Sequence, residues 1–432
     1  MRISRLAVAA VALPLLAGCN SLVDNQTMGP LGTPAGGAIF ANYIALGTSI
    51  SAGAQSGGIN DSTQKQAFPY LLARAMGLTP GANWFYPSFP FPGCTPPFAN
   101  PLTTPITYVG GTASTCTLVN PGYARPYQND LGVPSIRAAQ VLNITDLTFK
   151  PTDTLKAAEF ITGGRNPIDI VKAAAPTFVT VEIGLNDLLG AATHGDTTLL
   201  TPLATLEAKL TAIYDTVQAT GAKVAVANVP NVTVIPHFSA GVIFWCLHNG
   251  GAYCPAAAGL PPATLPYSSP LFTVDSSCIA SALYPAKGVG DLMLVGFTAT
   301  GTITAVLAGG GAASLNCGAA TATVTTTAGT APTGPVLGPK SVLAIATEVV
   351  AVDSFIHLQA IARNWAYVDF NGLLAANKAL IPPFPNFTTP ATLFGALFSL
   401  DGVHPTAAGH KAVADAFVAA INKTYGSNLT AP

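Results

Sequence analysis

Four side chains in this sequence have types and spacings that could do chemistry. Ser49 lies in a run of small residues after an apolar segment, and Asn186 follows a second apolar segment. Asp401 and His404 lie close together near the C-terminus. A hydroxyl nucleophile, a base held by a carboxylate, and an N–H donor for developing negative charge are the groups that acyl transfer through a covalent intermediate requires. The sequence therefore predicts a serine-dependent site for ester chemistry.

The spacing of Asp401 and His404 favours a working pair. Gly402 allows a turn in which the carboxylate reaches one ring nitrogen while the other nitrogen faces the serine. Pro405 stiffens the histidine and begins the last predicted helix, over residues 406–421. An ordinary polar cap before a helix would explain Asp401 but gives no reason for His404.

The other two residues each have a structural alternative. The turn around Ser49 is also typical of a simple strand-to-helix connection. Gly184 allows the backbone to swing so that the Asn186 amide faces a reacting carbonyl, but Asn-Asp pairs commonly form a turn that caps the next segment. We assign that structural part to Asp187.

Apolar segments that alternate with amphipathic ones must position these groups. The predicted strands cover residues 43–46, 178–183, 223–227 and 366–370, and the predicted helices cover residues 68–76, 203–217, 341–362 and 406–421. This alternation is typical of an α/β fold with helices on both faces of a mostly parallel sheet. Ligands bind beyond the carboxyl ends of such strands, so Ser49 and Asn186 can converge.

The short motifs around these four residues resemble the sequence motifs of the SGNH, or GDSL, esterases and lipases. Three blocks carry the resemblance: Gly47-Thr48-Ser49, Gly184-Leu185-Asn186-Asp187, and Asp401-x-x-His404-Pro405. The resemblance implies a flavodoxin-like three-layer sandwich and an esterase or lipase that needs no metal or organic cofactor. It makes Ser49 the nucleophile and His404 the base. Asp401 becomes the partner of the base and Asn186 an oxyanion donor.

The chain departs from the family pattern at two positions. Thr48 replaces the usual Asp of the nucleophile block. The block whose Gly normally completes the oxyanion hole best matches residues 131–135, which puts Ser135 where Gly is usual. A backbone N–H survives any substitution except Pro, so Ser135 can still donate if the turn forms.

The N-terminus resembles a bacterial lipoprotein signal. Arg2 and Arg5 precede an apolar run over residues 6–17 that is too short to span a bilayer, and a lipobox-like stretch ends at Cys19. We expect a signal peptide over residues 1–18, lipidation of Cys19, a tether over residues 19–40 and a catalytic domain over residues 41–430. The resemblance to Gram-negative lipoproteins implies that Asn20, next to Cys19, directs the protein to the outer membrane.

The composition limits the classes of partner that the chain is expected to bind. Charged residues are 9% of the chain, and loss of Arg2 and Arg5 leaves 16 of the 18 Lys and Arg against 19 Asp and Glu. No basic surface for nucleic acid is expected. The sequence has no Cys-x-x-Cys or His-x-x-x-His spacing of the kind that binds a metal ion. The expected partners are a small-molecule or lipid ester and, through the anchor, a membrane; the oligomeric state stays open.

Two stretches, residues 81–126 and 238–338, interrupt the alternation and are predicted to be insertions. Six cysteines remain after Cys19, and an exported protein favours disulfides, which we pair as neighbours: Cys94 with Cys116, Cys246 with Cys254, and Cys278 with Cys317. Alternation over residues 292–306 predicts short β-hairpins. The second insertion is either a disulfide-stapled decoration or an apolar lid that uses Phe244, Trp245, Tyr253 or Phe272.

Three other functions share parts of this pattern. An α/β-hydrolase also orders Ser, Asp and His in this way, but its elbow needs Gly where Ser51 lies. An acyltransferase or deacetylase acting on glycans would use the same residues. A non-catalytic surface lipoprotein, a scaffold or adhesin, would use the insertions alone.

Overall fold

A computed structural model describes residues 36–103, 105–118, 127–146, 152–250, 266–283 and 294–432. The predicted signal peptide, Cys19 and most of the predicted tether lie outside the described residues.

The described residues form thirteen strands and thirteen α-helices. The strands are β1 (Tyr43–Gly47), β2 (Phe98–Asn100), β3 (Thr107–Tyr108), β4 (Asp130–Gly132), β5 (Phe178–Glu182), β6 (Lys223–Ala227), β7 (Phe238–Ala240), β8 (Phe272–Val274), β9 (Leu294–Gly296), β10 (Ala312–Leu315), β11 (Thr321–Thr326), β12 (Gly329–Leu337) and β13 (Ala366–Val368). The helices are α1 (Ser49–Ala52), α2 (Asp61–Gln64), α3 (Phe68–Ala75), α4 (Ala138–Leu142), α5 (Thr152–Thr162), α6 (Pro167–Ala174), α7 (Leu185–His194), α8 (Leu203–Ala219), α9 (Gly241–Asn249), α10 (Phe297–Ala308), α11 (Pro339–Arg363), α12 (Phe370–Ala376) and α13 (Ala407–Tyr425).

A five-stranded parallel sheet forms the centre of the fold, in the order β13-β6-β5-β1-β4. The last residue of β1, Gly47, pairs with Glu182 on one side and Gly132 on the other. The chain order of the strands reverses at β1, which is where doubly wound sheets bind ligands. The predicted α/β class with a mostly parallel sheet is confirmed, and the arrangement is compatible with a three-layer sandwich.

The middle of the central sheet is buried, because every residue of β1 and β5 is buried. Aromatic side chains from residues 81–126 complete this core. Trp84 is fully buried and stacks on Tyr43 of β1 at 5.8 Å between ring centroids, and Phe89 is also fully buried. The beginning of the first predicted insertion is therefore part of the central core. The predicted disulfide between Cys94 and Cys116 is confirmed.

The second insertion has a sheet of its own and supplies most of a second core, which Phe384 completes from outside the insertion. Its six strands lie in the order β7-β9-β12-β11-β10-β8. The predicted disulfide between Cys278 and Cys317 is confirmed, and both cysteines lie in this core. Cys246 is also in a disulfide, but its predicted partner Cys254 lies outside the described residues. Phe244 and Phe272, two of the aromatic residues predicted for a lid, are buried inside the insertion instead.

The prediction of β-hairpins over residues 292–306 is wrong. From residue 294, where the structure describes this range, only β9 is extended, and α10 follows it directly. The Thr-rich sequence alternates like a strand, but α10 buries Phe297, Thr300, Ile303 and Leu307, which are spaced at about one helical turn. Packing of that face overrides the weak β-propensity of the threonines.

Helix α11 is long and apolar enough to cross a membrane by length and composition. In the structure it packs beside the central sheet instead, against β6 and β13. Its buried side chains share one face: Val342, Ile345, Val349, Val352 and Ile356. This packing agrees with the prediction that the segment is a helix of the folded domain.

Candidate active site

Ser49 is the first residue of α1 and follows directly from β1. Thr48 caps the helix, and its hydroxyl accepts from the backbone N–H of Ile50 at 3.4 Å. Gly47 is needed because a Cβ there would lie only 1.8 Å from the Oγ of Ser51. The small residues of this block thus allow a tight turn that places the serine hydroxyl at the carboxyl end of the sheet.

The structure brings Ser49, His404 and Asp401 together. The Nε2 of His404 lies 2.8 Å from the Oγ of Ser49, and its Nδ1 lies 2.7 Å from the Oδ2 of Asp401. A carboxylate only accepts hydrogen bonds, so Nδ1 donates to Asp401 and Nε2 is left to accept the serine proton. The three side chains form a continuous hydrogen-bonded chain from carboxylate to hydroxyl.

Backbone N–H groups fix the Asp401 carboxylate. Its Oδ1 accepts from the amides of Val403 and His404 at 2.8 and 2.9 Å. Its Oδ2 accepts from the amide of Gly57 at 2.5 Å, in addition to the His404 ring. The carboxylate can therefore orient the imidazole without moving itself.

The pair is electrostatically coupled. Burial alone would raise the pKa of Asp401, but the charge and hydrogen bonds of His404 hold that pKa well below its usual value. Burial alone would lower the pKa of His404, but Asp401 and then the charge of Glu182 outweigh burial and raise it. The site therefore stabilises the imidazolium that forms when His404 takes a proton.

Asn186 lies in the first turn of α7, just after Gly184, whose φ of 120° only glycine adopts easily. Its Nδ2 donates to the carbonyl of Ile136 at 2.9 Å, and the side chain is buried. An amide nitrogen carries two N–H bonds, so one remains for a substrate oxygen. The bond to Ile136 also ties Asn186 to the loop that follows β4.

Ser135 lies in that same loop, one residue before Ile136, and has a φ of +63°. This backbone conformation is left-handed, a region that favours glycine, and the turn forms here with serine in its place. The backbone of Val133 donates to the carbonyl of Gly47 at 3.0 Å and holds the loop beside the nucleophile turn. The structure thus places Ser135 in the loop between the β1 turn and Asn186.

Asp187 has a structural part, but its carboxylate caps α4 and not, as the sequence predicts, the segment that follows it in the chain. Its Oδ2 accepts from the amide of Ala138 at the start of α4, and its Oδ1 accepts from the hydroxyl of Thr201. These contacts bind α7 to the loop after β4, which holds Asn186 and Ser135 near each other.

Glu182 is a site residue that sequence reasoning missed. Its carboxylate lies under the nucleophile turn, 2.9 Å from the amide of Thr48 and 2.8 and 2.9 Å from the Thr48 hydroxyl. The hydroxyl of Ser51 donates to the same group at 3.0 Å. Burial raises the pKa of Glu182 to about 7 despite these hydrogen bonds. The sequence contained one signal for this residue, a carboxylate at the end of a mostly apolar predicted strand. Acids are rarely buried unless they are paired or hydrogen-bonded.

His237 is a second missed residue. Its Nδ1 donates to the carbonyl of Asp401 at 2.9 Å, and its backbone N–H donates to the carbonyl of Gly402 at 3.0 Å. Burial lowers the pKa of His237, which favours its neutral form. His237 thus fixes the turn between Asp401 and His404 through two hydrogen bonds to its carbonyls.

A groove of about 350 Å³ opens beside Asp401 and His404. One wall comes from the first insertion and includes Phe98 and Ile106, and the opposite wall is α10, through Phe297, Thr298 and Ala305 among others. The second insertion therefore lines the site with α10, whereas Phe244, Trp245 and Phe272, the described aromatics that the sequence suggested for a lid, do not line this groove. Tyr253 lies outside the described residues.

Compared with protein-family models, with curated proteins and with solved structures, the chain gives no match. The assignment of the site therefore depends on geometry alone. A Ser-His-Asp triad lies at the switch point of a parallel sheet, with a side-chain amide and a loop backbone beside the nucleophile.

Proposed function

We propose that the protein is a serine carboxylic-ester hydrolase of the SGNH type, an esterase or lipase. The observation that carries the proposal is the hydrogen-bonded chain from Asp401 through His404 to Ser49, with distances of 2.7 and 2.8 Å. Such a chain lets a serine lose its proton to the histidine as the hydroxyl attacks a carbonyl. The block resemblance and the strand order of the sheet support the same class.

In the first step, the Oγ of Ser49 attacks the ester carbonyl and His404 takes the hydroxyl proton. Asn186 and the backbone N–H groups of Ser49 and Ser135 receive the developing oxyanion. His404 then returns the proton to the leaving alcohol, which leaves the acyl group on Ser49. Water, activated by His404, releases the acid and restores the serine.

The two departures from the family pattern are compatible with this mechanism. Glu182 supplies a carboxylate under the turn where Thr48 replaces the usual Asp. Ser135 adopts the left-handed backbone that glycine normally provides. The chain therefore keeps a backbone N–H donor for the oxyanion at Ser135 and a hydrogen-bonded turn around Thr48.

The test is turnover of a chromogenic ester such as p-nitrophenyl butanoate by the wild type and by Ser49→Ala. Ser62→Ala is the matched control because Ser62 is exposed on α2. We expect turnover in the wild type and the control and loss in Ser49→Ala. Equal, nonzero turnover in Ser49→Ala would exclude Ser49 as the nucleophile, and a wild type that reacts with no ester would favour a non-catalytic surface lipoprotein.

The same residues would serve transfer of an acyl group to a sugar hydroxyl, or removal of acetyl groups from glycans. These reactions differ in the acceptor of the second step or in the alcohol that leaves. Product analysis with an added sugar acceptor distinguishes them, because transfer yields a new ester at the expense of the free acid.

We also propose that the chain is exported and anchored to the outer membrane through a lipid on Cys19. The Arg-apolar-small order of residues 1–18 supports this. Metabolic labelling with a palmitate analogue should mark the wild type and leave Cys19→Ala unmarked. Equal labelling of both would contradict the anchor.

A further inference from the structure

A tight turn over residues 55–58 contacts the Asp401 carboxylate, although the two lie far apart in the chain. The first and last residues of the turn exchange backbone hydrogen bonds of 2.8 and 3.1 Å. Its two central residues, Ser56 and Gly57, have left-handed backbones with φ of +53° and +70°. This pair of positive φ values is what a type I′ turn requires. The turn aims the amide of Gly57 at the Oδ2 of Asp401, which accepts it at 2.5 Å.

Ser399 links the same turn to Asp401 a second time. Its hydroxyl accepts from the backbone N–H of Ser56 at 2.7 Å and donates to the Oδ1 of Asp401 at 3.2 Å. The hydroxyl of Ser56 in turn accepts from the amide of Leu400 at 3.1 Å. Each oxygen of the triad carboxylate is therefore bonded to the turn, either directly or through Ser399.

The first insertion holds this turn from the other side. The amide of Phe98 donates to the carbonyl of Ser56 at 2.7 Å, and Ile59 exchanges backbone bonds of 2.9 and 3.1 Å with residues 94–95. The ring of Phe98 covers Gly57, because a Cβ at that glycine would lie only 2.4 Å from it. Hydrogen bonds thus run without a break from the first insertion, through the turn, to the acid of the triad.

We propose that Gly57 is a positioning residue for the triad, and that the first insertion serves catalysis by holding it. The Asp401 carboxylate must stay bonded to the Nδ1 of His404 for the other ring nitrogen to accept the serine proton. Gly57 donates to Oδ2, the same oxygen that the imidazole uses. Small displacements of such a group lower the rate without weakening the binding of substrate. The assignment rests on the proposed function.

The test compares Gly57→Ala with Gly221→Ala on p-nitrophenyl butanoate. Gly221 is the matched control because it has a φ of +77° and a Cβ there would meet nothing within 4 Å. It lies just before β6, at the end of the sheet away from the triad. Gly57→Ala should lower kcat by about tenfold or more and change KM by less than about threefold. Gly221→Ala, which carries the backbone strain alone, should keep the kcat of the wild type.

Two double variants separate positioning from a general loss of structure. The loss of kcat from Gly57→Ala should be smaller in a Phe98→Ala background, because the ring that the new Cβ meets is gone. It should be less than about threefold in an Asp401→Asn background, where there is no carboxylate to position. The proposal is overturned by a kcat in Gly57→Ala equal to that of Gly221→Ala, by losses that multiply with Asp401→Asn, or by an equal loss with and without Phe98.

The Nδ1 proton of His404 gives a readout that does not depend on turnover. An imidazole proton bonded to a carboxylate and shielded from water is observed at low field by NMR, and its absence in Asp401→Asn assigns the signal. We expect it in the wild type and in Gly221→Ala, and expect it to be broadened or lost in Gly57→Ala. If the wild type hydrolyses no ester but shows this difference, the positioning stands and the proposed function fails. An identical signal in all three chains would overturn the positioning whatever the turnover.

Discussion

The central sheet and the second insertion contribute to the site in different ways. The segments that follow β1, β4 and β5 are hydrogen-bonded to one another within the site: Thr48 donates to Glu182, Val133 to Gly47 and Asn186 to Ile136. The insertion supplies most of a second core, has its own disulfide and reaches the groove with one helix, α10. This difference suggests that chemistry depends on the sheet and selectivity on the insertion, so changes in each region should have separable effects.

The largest effect is expected at the triad. Ser49→Ala and His404→Ala should each lower kcat by about 10⁴-fold or more, because the nucleophile and base act as a unit. Tm should change little, since neither side chain lies in the hydrophobic core. Steady-state kinetics and thermal unfolding measure both quantities, and a loss of Tm that parallels the loss of rate would mean that the residues hold the fold instead.

Asp401→Asn should lower kcat by about 10³-fold. The amide can donate to the Nδ1 of His404 and so favours the tautomer whose Nε2 cannot accept the serine proton. The loss should be smallest at high pH. Kinetics across pH test this role, and a profile that matches the wild type would remove Asp401 from the mechanism.

Glu182→Gln should have a smaller effect, less than about tenfold on kcat/KM at neutral pH. The charge of Glu182 raises the pKa of His404, so loss of that charge lowers the pKa; the change is small because Glu182, with its own pKa at about 7, is only partly charged where His404 titrates. His404 must be neutral to act as a base, so its activity fails as the pH falls through its pKa. The acidic limb of the kcat/KM profile should therefore move to lower pH.

Glu159→Gln is the matched control for that profile because Glu159 is exposed on α5. Its acidic limb should coincide with that of the wild type. If the acidic limb of the kcat/KM profile has the same midpoint pH in Glu182→Gln as in the wild type, Glu182 only supports the turn around Thr48.

The smallest effect on chemistry is expected in the insertion. Replacing Cys278 and Cys317 together by Ala should lower the free energy of unfolding by about 3–4 kcal/mol, because the disulfide closes a 39-residue separation. Turnover of p-nitrophenyl butanoate should change by less than about threefold. Chemical denaturation measures the first quantity, and a large loss of butanoate turnover in the folded variant would contradict the separation of the two regions.

The sequence predicts the triad because its residues occur in short local blocks whose spacing carries the chemistry. It also predicts the strands on either side of them, since β1, β5 and β6 are apolar runs that only a parallel sheet buries fully. The pairs Cys94 with Cys116 and Cys278 with Cys317 follow from short loops. Each of these inferences needs only neighbours in the chain.

The missed features depend on contacts between distant segments. Glu182 lies on a different strand from the turn it supports, and Gly57 reaches Asp401 across most of the chain. Trp84 enters the central core from a Pro-rich stretch with no helical or strand period. The helix α10 forms because one face packs, although its threonines alternate like a strand. Pattern alone contains none of these tertiary contacts.

Covalent labelling of Ser49 tests the central claim most directly. The wild type is reacted with a fluorophosphonate, which forms a stable adduct with an activated serine, and the modified peptide is identified by mass spectrometry. We predict one adduct per chain on Ser49 and none in His404→Ala at the same reagent concentration. An adduct on another serine, or a fully active enzyme that remains unlabelled at Ser49, would contradict the account.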